Sequence, residues 1–74
     1  MSLTVAGFHY SVKNLKTSGM VKSGKFSTEL KAQAYFDFMI SEKNLNEHSG
    51  DFEYNLWAFV DGKPYLRRTM YGSL

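Results

Sequence analysis

Two alternating apolar runs on either side of Asp61-Gly62 predict a β-hairpin within residues 51–71, DFEYNLWAFVDGKPYLRRTMY. Asp-Gly between alternating runs is the strongest short-range hairpin signal in the chain. A two-residue turn would place Trp57 on the same face as Leu66. A three-residue loop that begins one residue earlier and holds Gly62 in a left-handed bulge would shift the pairing by one residue. Because such a slip moves every side chain to the opposite face, the apolar pattern should decide, and it favours the three-residue loop.

In that register the side chains of the hairpin divide into a core face and an open face. The core face carries Phe52, Tyr54, Leu56, Ala58, Leu66 and Met70, with Arg68 near its edge. The open face carries Glu53, Asn55, Trp57, Phe59, Tyr65, Arg67, Thr69 and Tyr71. The rings of Trp57, Phe59, Tyr65 and Tyr71 therefore project together from the open face.

The first part of the chain predicts a second hairpin. Leu3–Lys13 alternates apolar and polar positions as a strand does, with a bulge or bend expected at Gly7. Residues 14–19 are rich in turn formers, and Met20–Phe26 resumes a weaker strand. A lysine and a glycine interrupt the apolar face of that strand, which suits an edge position.

One amphipathic helix is predicted between the two hairpins. Ser27 or Thr28 is suited to cap its N-terminus, and Asn44 followed by Leu45 is suited to a left-handed C-cap. The residues expected to face the sheet recur at helical spacing and are Ala32, Tyr35, Phe36, Met39 and Ile40. Phe38 belongs to a second set at a different angle and should lie on the flank, either lapping over the sheet edge or helping to form a contact surface.

The predicted order is therefore β-β-α-β-β in a single small domain over residues 1–74. We expect an α+β fold of two layers, with one helix packed on a mainly antiparallel four-stranded sheet. The pattern leaves the strand order open, because the two hairpins could meet through either edge. It also leaves the second face of the sheet without a covering element.

Composition limits the functional classes. The chain has 74 residues, a net charge of +2 and no cysteine, which excludes disulfides and thiolate metal sites. It has neither a secretion-signal pattern at its start nor a run approaching about 18 apolar residues, so we expect a soluble, cytoplasmic protein. Because phages and mobile elements often encode compact proteins of this size, the size alone suggests such an origin.

Candidate chemical motifs are weak. Residues 19–26, GMVKSGKF, approach a phosphate-binding loop, but Phe26 stands where a hydroxyl should hold magnesium. Glu47, His48 and Asp51, with His9 from afar, do not repeat any metal-ligand spacing. We predict no enzyme, no metal and no cofactor.

The aromatic open face is the remaining functional signal. Fully burying a large apolar side chain is worth about 1.5–3 kcal/mol, so leaving Trp57 and Phe59 in water forgoes a large share of a small domain's stability. We predict a partner-binding surface centred on these two rings with Tyr65 and Arg67, and with Tyr71 and Phe38 at its margins.

Three partners compete for that surface. A second copy could stack its sheet on it to form a homodimer, and the leading hypothesis is a homodimeric accessory or regulatory protein. A different protein could use the aromatic and arginine anchors. Alternatively, a single-stranded nucleic acid could stack bases on the rings, with phosphates contacted by Lys13, Lys22, Lys25 and Arg67.

Overall fold

The computed structural model describes residues 5–73, and it confirms the predicted α+β architecture of one helix on a four-stranded antiparallel sheet. The elements in chain order are β1 (Val5–Asn14), β2 (Met20–Phe26), α1 (Glu29–Lys43), β3 (Phe52–Val60) and β4 (Lys63–Gly72). The predicted strand Met20–Phe26 has the observed bounds. Leu3 and Thr4, the first two residues predicted for β1, lie outside the described residues.

The strands lie side by side in the order β2-β1-β3-β4, and every pair is antiparallel. The two hairpins therefore join through β1 and β3, which settles the question that the sequence pattern left open. These two central strands carry the buried residues Phe8, Tyr10, Val12, Tyr54, Leu56 and Ala58. The strands rich in lysine and arginine lie at the edges, where their charged side chains reach water.

Local sequence signals fix both ends of α1. The Thr28 side chain accepts a hydrogen bond from the Lys31 backbone N–H at 3.3 Å, as an N-cap does. At the other end, Asn44 adopts the left-handed conformation (φ 51°, ψ 50°), and the next residue, Leu45, is buried. The predicted caps are confirmed, with Thr28 chosen over Ser27.

The core lies between α1 and one face of the sheet. Ala32, Phe36 and Met39 are buried under the helix, while Tyr35 and Ile40 are partly buried against the same cluster. This is the apolar stripe that helical spacing predicts. The sheet contributes the central-strand residues named above together with Met70.

The predicted three-residue loop of the β3–β4 hairpin is wrong. Val60 pairs with Lys63, and Asp61 and Gly62 have φ values of 52° and 79°, as a two-residue type I′ turn requires. The pairing then shifts by one residue at a bulge beside Arg67, so that the far half of the hairpin follows the other register. The half of the hairpin next to the turn has the register that Asp61-Gly62 favours, and the half beyond the bulge has the register that the apolar pattern favours.

Three residues next to or at the bulge lie on the face opposite to the one predicted for them. Leu66 pairs with Trp57 and lies on the face away from α1, whereas Tyr65 pairs with the buried Ala58 on the helix side. Arg67 also reaches the helix side, where it meets Glu29. The other predicted positions in β3 and β4 are confirmed.

Two further irregularities shape the sheet. The pairing of β1 with β3 shifts between Val5 and Gly7, which confirms the bulge expected at Gly7. The pairing of β1 with β2 shifts between Val12 and Lys13, leaving Val21 as the extra residue of β2. Both edge strands, β2 and β4, therefore carry a bulge.

The loop between α1 and β3 is held against β4. Asn46 and Tyr71 exchange two backbone hydrogen bonds of 2.8 and 2.7 Å. The Asn46 side-chain oxygen also accepts hydrogen bonds from the backbone N–H groups of His48 and Ser49. This arrangement closes the C-terminal part of the β4 edge and leaves its first part, near the hairpin turn, open.

Candidate interaction surface on the open sheet face

The sheet face turned away from α1 is covered by no element of residues 5–73. We call it the outer face. Strand pairing and alternation place on it His9, Ser11, Lys13, Met20, Ser23, Lys25, Glu53, Asn55, Trp57, Phe59, Pro64, Leu66, Thr69 and Tyr71. Its apolar part is formed by Trp57, Phe59, Pro64 and Leu66 in the halves of β3 and β4 near their turn, and Met20 of β2 borders it from the side.

The two central rings of the outer face are held in place by their neighbours. The Trp57 indole Nε1 donates a hydrogen bond to Ser11 Oγ at 3.1 Å. The Phe59 ring stacks on His9, with centroids 5.8 Å apart and planes inclined by 24°. Both rings are partly buried by lying along the sheet. They are therefore less exposed than the sequence suggests, and they form a shallow surface rather than projecting anchors.

A polar network lies beside the rings. Asn55 donates from Nδ2 to Glu53 at 2.9 Å and accepts from the Thr69 hydroxyl at 2.8 Å. Ser11 and Asn55 are buried, although no element of the described chain lies over them. No buried side-chain nitrogen or oxygen in that part of the chain lacks a hydrogen-bond partner. The buried polar side chains of the outer face therefore have their hydrogen bonds satisfied within the chain.

The structure brings Trp57, Phe59 and Tyr71 to the outer face, as predicted. It also adds Leu66 and Met20, which are 53% and 65% exposed. The sequence pattern missed both. Each residue lies next to a bulge in an edge strand, and the bulge changes the face on which the neighbouring side chains lie. Asp61-Gly62 was the available signal for Leu66, since a two-residue turn alone places this residue beside Trp57.

Three other residues predicted for the contact surface lie elsewhere. Tyr65 and Arg67 are on the helix side of β4, for the reason given above. Phe38 is 58% exposed on α1 and borders a groove above β2 with Val21. The predicted centre therefore keeps Trp57 and Phe59 and loses Tyr65 and Arg67.

The lysines considered for nucleic-acid contact are also divided. Lys13 and Lys25 lie on the outer face, and Lys25 pairs with His9 across β1 and β2. Lys22 lies opposite the buried Val12, on the helix side, and Arg67 is near Glu29 at 3.4 Å. The four cations do not form one continuous track beside the aromatic rings.

No group of three or more metal-ligating side chains occurs within residues 5–73, and no helix there is long and apolar enough to span a membrane.

Two core tyrosines, Tyr10 and Tyr54, have a raised pKa. Burial, followed by the neighbouring Tyr35, raises the pKa of Tyr10 to about 12, and burial raises the pKa of Tyr54.

Comparison with family models, with curated proteins and with solved structures gave no significant match to this chain.

Proposed function

We propose that this protein acts by binding rather than by catalysis, and that the outer face associates with the outer face of a second copy. The observation that carries the proposal is the apolar surface formed by Trp57, Phe59, Leu66 and Met20, over which no element of residues 5–73 lies. The resulting homodimer would have a two-fold axis, because the same patch serves both subunits.

The hydrogen bonding of the outer face supports this proposal. Covering a polar group is costly when its hydrogen bonds to water are lost without replacement. Here the Trp57 indole and the Asn55 amide already have partners within the chain. A second copy can therefore cover them without supplying new donors or acceptors. The rings are also fixed before association, which reduces the entropy lost on binding.

The size of the outer face is sufficient for a small dimer. Strand β3 has nine residues and is about 30 Å long, and four strands spaced about 4.8 Å apart are about 19 Å wide. Two such faces together offer roughly 1,100 Å², and a biological interface is expected to bury at least about 1,000 Å². The interface would therefore be at the lower end of the size range of biological interfaces.

The sheet edges favour association through the face over association through an added strand. Bulges interrupt β2 at Val21 and β4 at Arg67. Lysines in β2 and the pair Lys63-Pro64 in β4 further discourage edge pairing between copies. The outer face is a larger continuous surface than either edge, and its association with a second copy requires no hydrogen bonding between strand edges.

The test is the solution mass by light scattering, with one pair of adjacent variants. Leu66 and Tyr65 are 53% and 52% exposed and lie on opposite faces of β4, so both positions tolerate substitution by glutamate. We expect the wild type at about 100 μM to have twice the 8.5 kDa mass of the monomer. Leu66→Glu should reduce the mass to that of the monomer, and Tyr65→Glu should not. A monomeric wild type, or equal effects of the two variants, would reject the proposal.

Single-stranded nucleic acid is the second candidate partner, because Lys13 and Lys25 share the outer face with Trp57 and His9. Bases stacked on the rings should quench Trp57 fluorescence, and phosphate contacts should make the affinity fall steeply with salt. A titration with oligo-dT and oligo-rU of about 15 nucleotides is the test, with Lys25→Glu as the weakening variant and Lys63→Glu as the control. Unchanged fluorescence with both oligonucleotides would remove this candidate.

A further inference from the structure

A second uncovered surface lies between α1 and β2, on the opposite layer from the outer face. We call it the α1–β2 groove. It has a volume of about 440 Å³, within the range of about 300–1,000 Å³ that is usual for ligand pockets. The exposed side chains of Phe38 and Val21 border it, and the buried Met39 and Tyr54 lie at its base. An apolar side chain of moderate size fits such a space.

The rim of the groove carries an excess of positive charge. Lys22 of β2 and Lys43 in the last turn of α1 border it together with one acid, Glu42. None of these three side chains forms an ion pair in the part of the chain that the structure describes. The groove thus combines an apolar base with lysines that have no carboxylate partner there.

The other side of the same helix shows what complements such cations. There, Arg67 lies 3.4 Å from Glu29, and Arg68 lies 3.2 Å from Asp37. Arg68 also lies over the Phe36 ring, 5.7 Å from its centroid. On that side, carboxylates of α1 form ion pairs with the arginines of β4. On the β2 side, α1 and β2 each contribute a lysine, Lys43 and Lys22.

We propose that the α1–β2 groove binds an acidic segment of a partner protein, in which an apolar anchor residue stands between carboxylates. The anchor would pack against Phe38 and Val21, and the carboxylates would meet Lys22 and Lys43. Aromatic and aliphatic anchors in preformed apolar pockets carry most of the energy of such contacts, and the surrounding charges set the choice of partner. This proposal is independent of the outer face and of the oligomeric state.

The test uses three end-blocked peptides and the ¹⁵N-labelled protein. The acidic probe is Asp-Glu-Leu-Phe-Glu-Asp, the basic control is Lys-Lys-Leu-Phe-Lys-Lys, and the control without an anchor is Asp-Glu-Ser-Ser-Glu-Asp. With up to about 1 mM of the acidic probe, we expect saturable amide shifts at Val21, Phe38 and Lys43 and none at the Trp57 indole. At equal concentration the two controls should bind at least about tenfold more weakly.

Surface variants test the two parts of the recognition separately. Phe38→Ala should weaken the acidic probe at least about tenfold, while Leu30→Ala, at an even more exposed apolar position of the same helix, should not. The double variant Lys22→Glu/Lys43→Glu should abolish the salt-dependent part of the affinity, and Lys63→Glu should leave it unchanged. Since these side chains are exposed, the variants should stay folded, as circular dichroism will verify.

Any one of three results with the peptides would overturn the proposal. They are the absence of shifts with the acidic probe at about 1 mM, equal binding of the basic control, or shifts confined to the outer face. An unchanged affinity of Phe38→Ala would exclude the groove even if the acidic probe binds elsewhere.

Discussion

The two sides of α1 both carry a phenylalanine and cationic side chains, but they differ in ion pairing and in the burial of the ring. On the β4 side, Arg67 and Arg68 cross the gap to Glu29 and Asp37, and Phe36 lies buried beneath them. On the β2 side, Phe38 is 58% exposed. Two phenylalanines separated by one residue thus have opposite roles, one in the core and one on an uncovered surface.

This difference teaches that the two sides of α1 are distinguished by how the rings beside the helix are covered. A helix that roofs four strands leans toward one side, and here it leans over β1 and β2. The wider gap on the β4 side is bridged by long arginine side chains, whose apolar stems cover core surface while their charged ends reach the helix carboxylates. Between α1 and β2 no corresponding ion pair occurs among the described residues.

The largest expected effect comes from truncating the two phenylalanines. Phe36→Ala should lower the free energy of unfolding by about 3–5 kcal/mol, because it opens a cavity in the core. Phe38→Ala should change it by less than about 1 kcal/mol, because the ring is mostly in water. Urea denaturation followed by Trp57 fluorescence measures both. Similar losses in the two variants would mean that the β2 side is as closed as the β4 side.

A second effect concerns the close contact between Gly24 of β2 and Tyr10 of β1. A Cβ atom at position 24 would overlap Cε1 of the Tyr10 ring, which lies across the glycine. Gly24→Ala should therefore cost about 1–3 kcal/mol as the ring moves aside. Ser23→Ala, one residue earlier and exposed on β2, is the control and should change stability by less than about 0.5 kcal/mol. A neutral Gly24→Ala would show that Tyr10 is not packed in this way.

A third effect is a loss of stability in alkali that originates on the β2 side. Tyr10 packs with Phe26 and Tyr35 there, and burial, followed by Tyr35, raises the pKa of Tyr10 to about 12. Because the folded state holds this phenol neutral, its contribution is fully present below the unfolded pKa of about 10 and is lost as pH rises through about 12.

Denaturation midpoints measured between about pH 9 and pH 11.5, with tyrosinate absorbance in parallel, test this expectation. The midpoint should fall across this range in the wild type and fall less in Tyr10→Phe. Tyr65→Phe, at an exposed position, should keep the wild-type slope. Identical slopes in all three proteins would contradict the assignment to Tyr10.

The smallest effect concerns the arginine bridge itself. A double-mutant cycle between Arg68→Gln and Asp37→Asn should give a coupling of about 0.2–1 kcal/mol, because both side chains are largely exposed. The coupling should shrink in about 1 M salt. Lys43→Gln, which removes a cation from the β2 side, should be neutral within about 0.5 kcal/mol. A coupling that is insensitive to salt would argue against an ionic bridge.

Much of the fold follows from local patterns. Helical spacing identified the stripe that contains Ala32, Phe36 and Met39, and turn chemistry identified both caps of α1. Alternation identified Trp57 and Phe59 as residues of the face without a helix. The reason is that each of these features depends on residues that are close together in the sequence, within a single helix or strand.

The candidate surfaces were harder to predict because they depend on bulges. The bulge at Arg67 moves Tyr65 and Leu66 to faces opposite to those expected. Asp61-Gly62 favours one register and the apolar positions farther along favour the other, so either signal alone predicts half of the hairpin. Only the pairing of the complete strands reveals that one extra residue reconciles them.

The sequence by itself determined the elements, their order and most of the residues that form the core, and it limited the N-cap of α1 to two residues, because these features follow from backbone preferences and apolar periodicity. The tertiary structure decided that β1 and β3 are neighbours, that Arg67 and Arg68 close one side of the helix, and that Phe38 borders an open groove on the other. These features arise where segments distant in the chain meet, and local patterns carry no direct information about the width of the gaps between them.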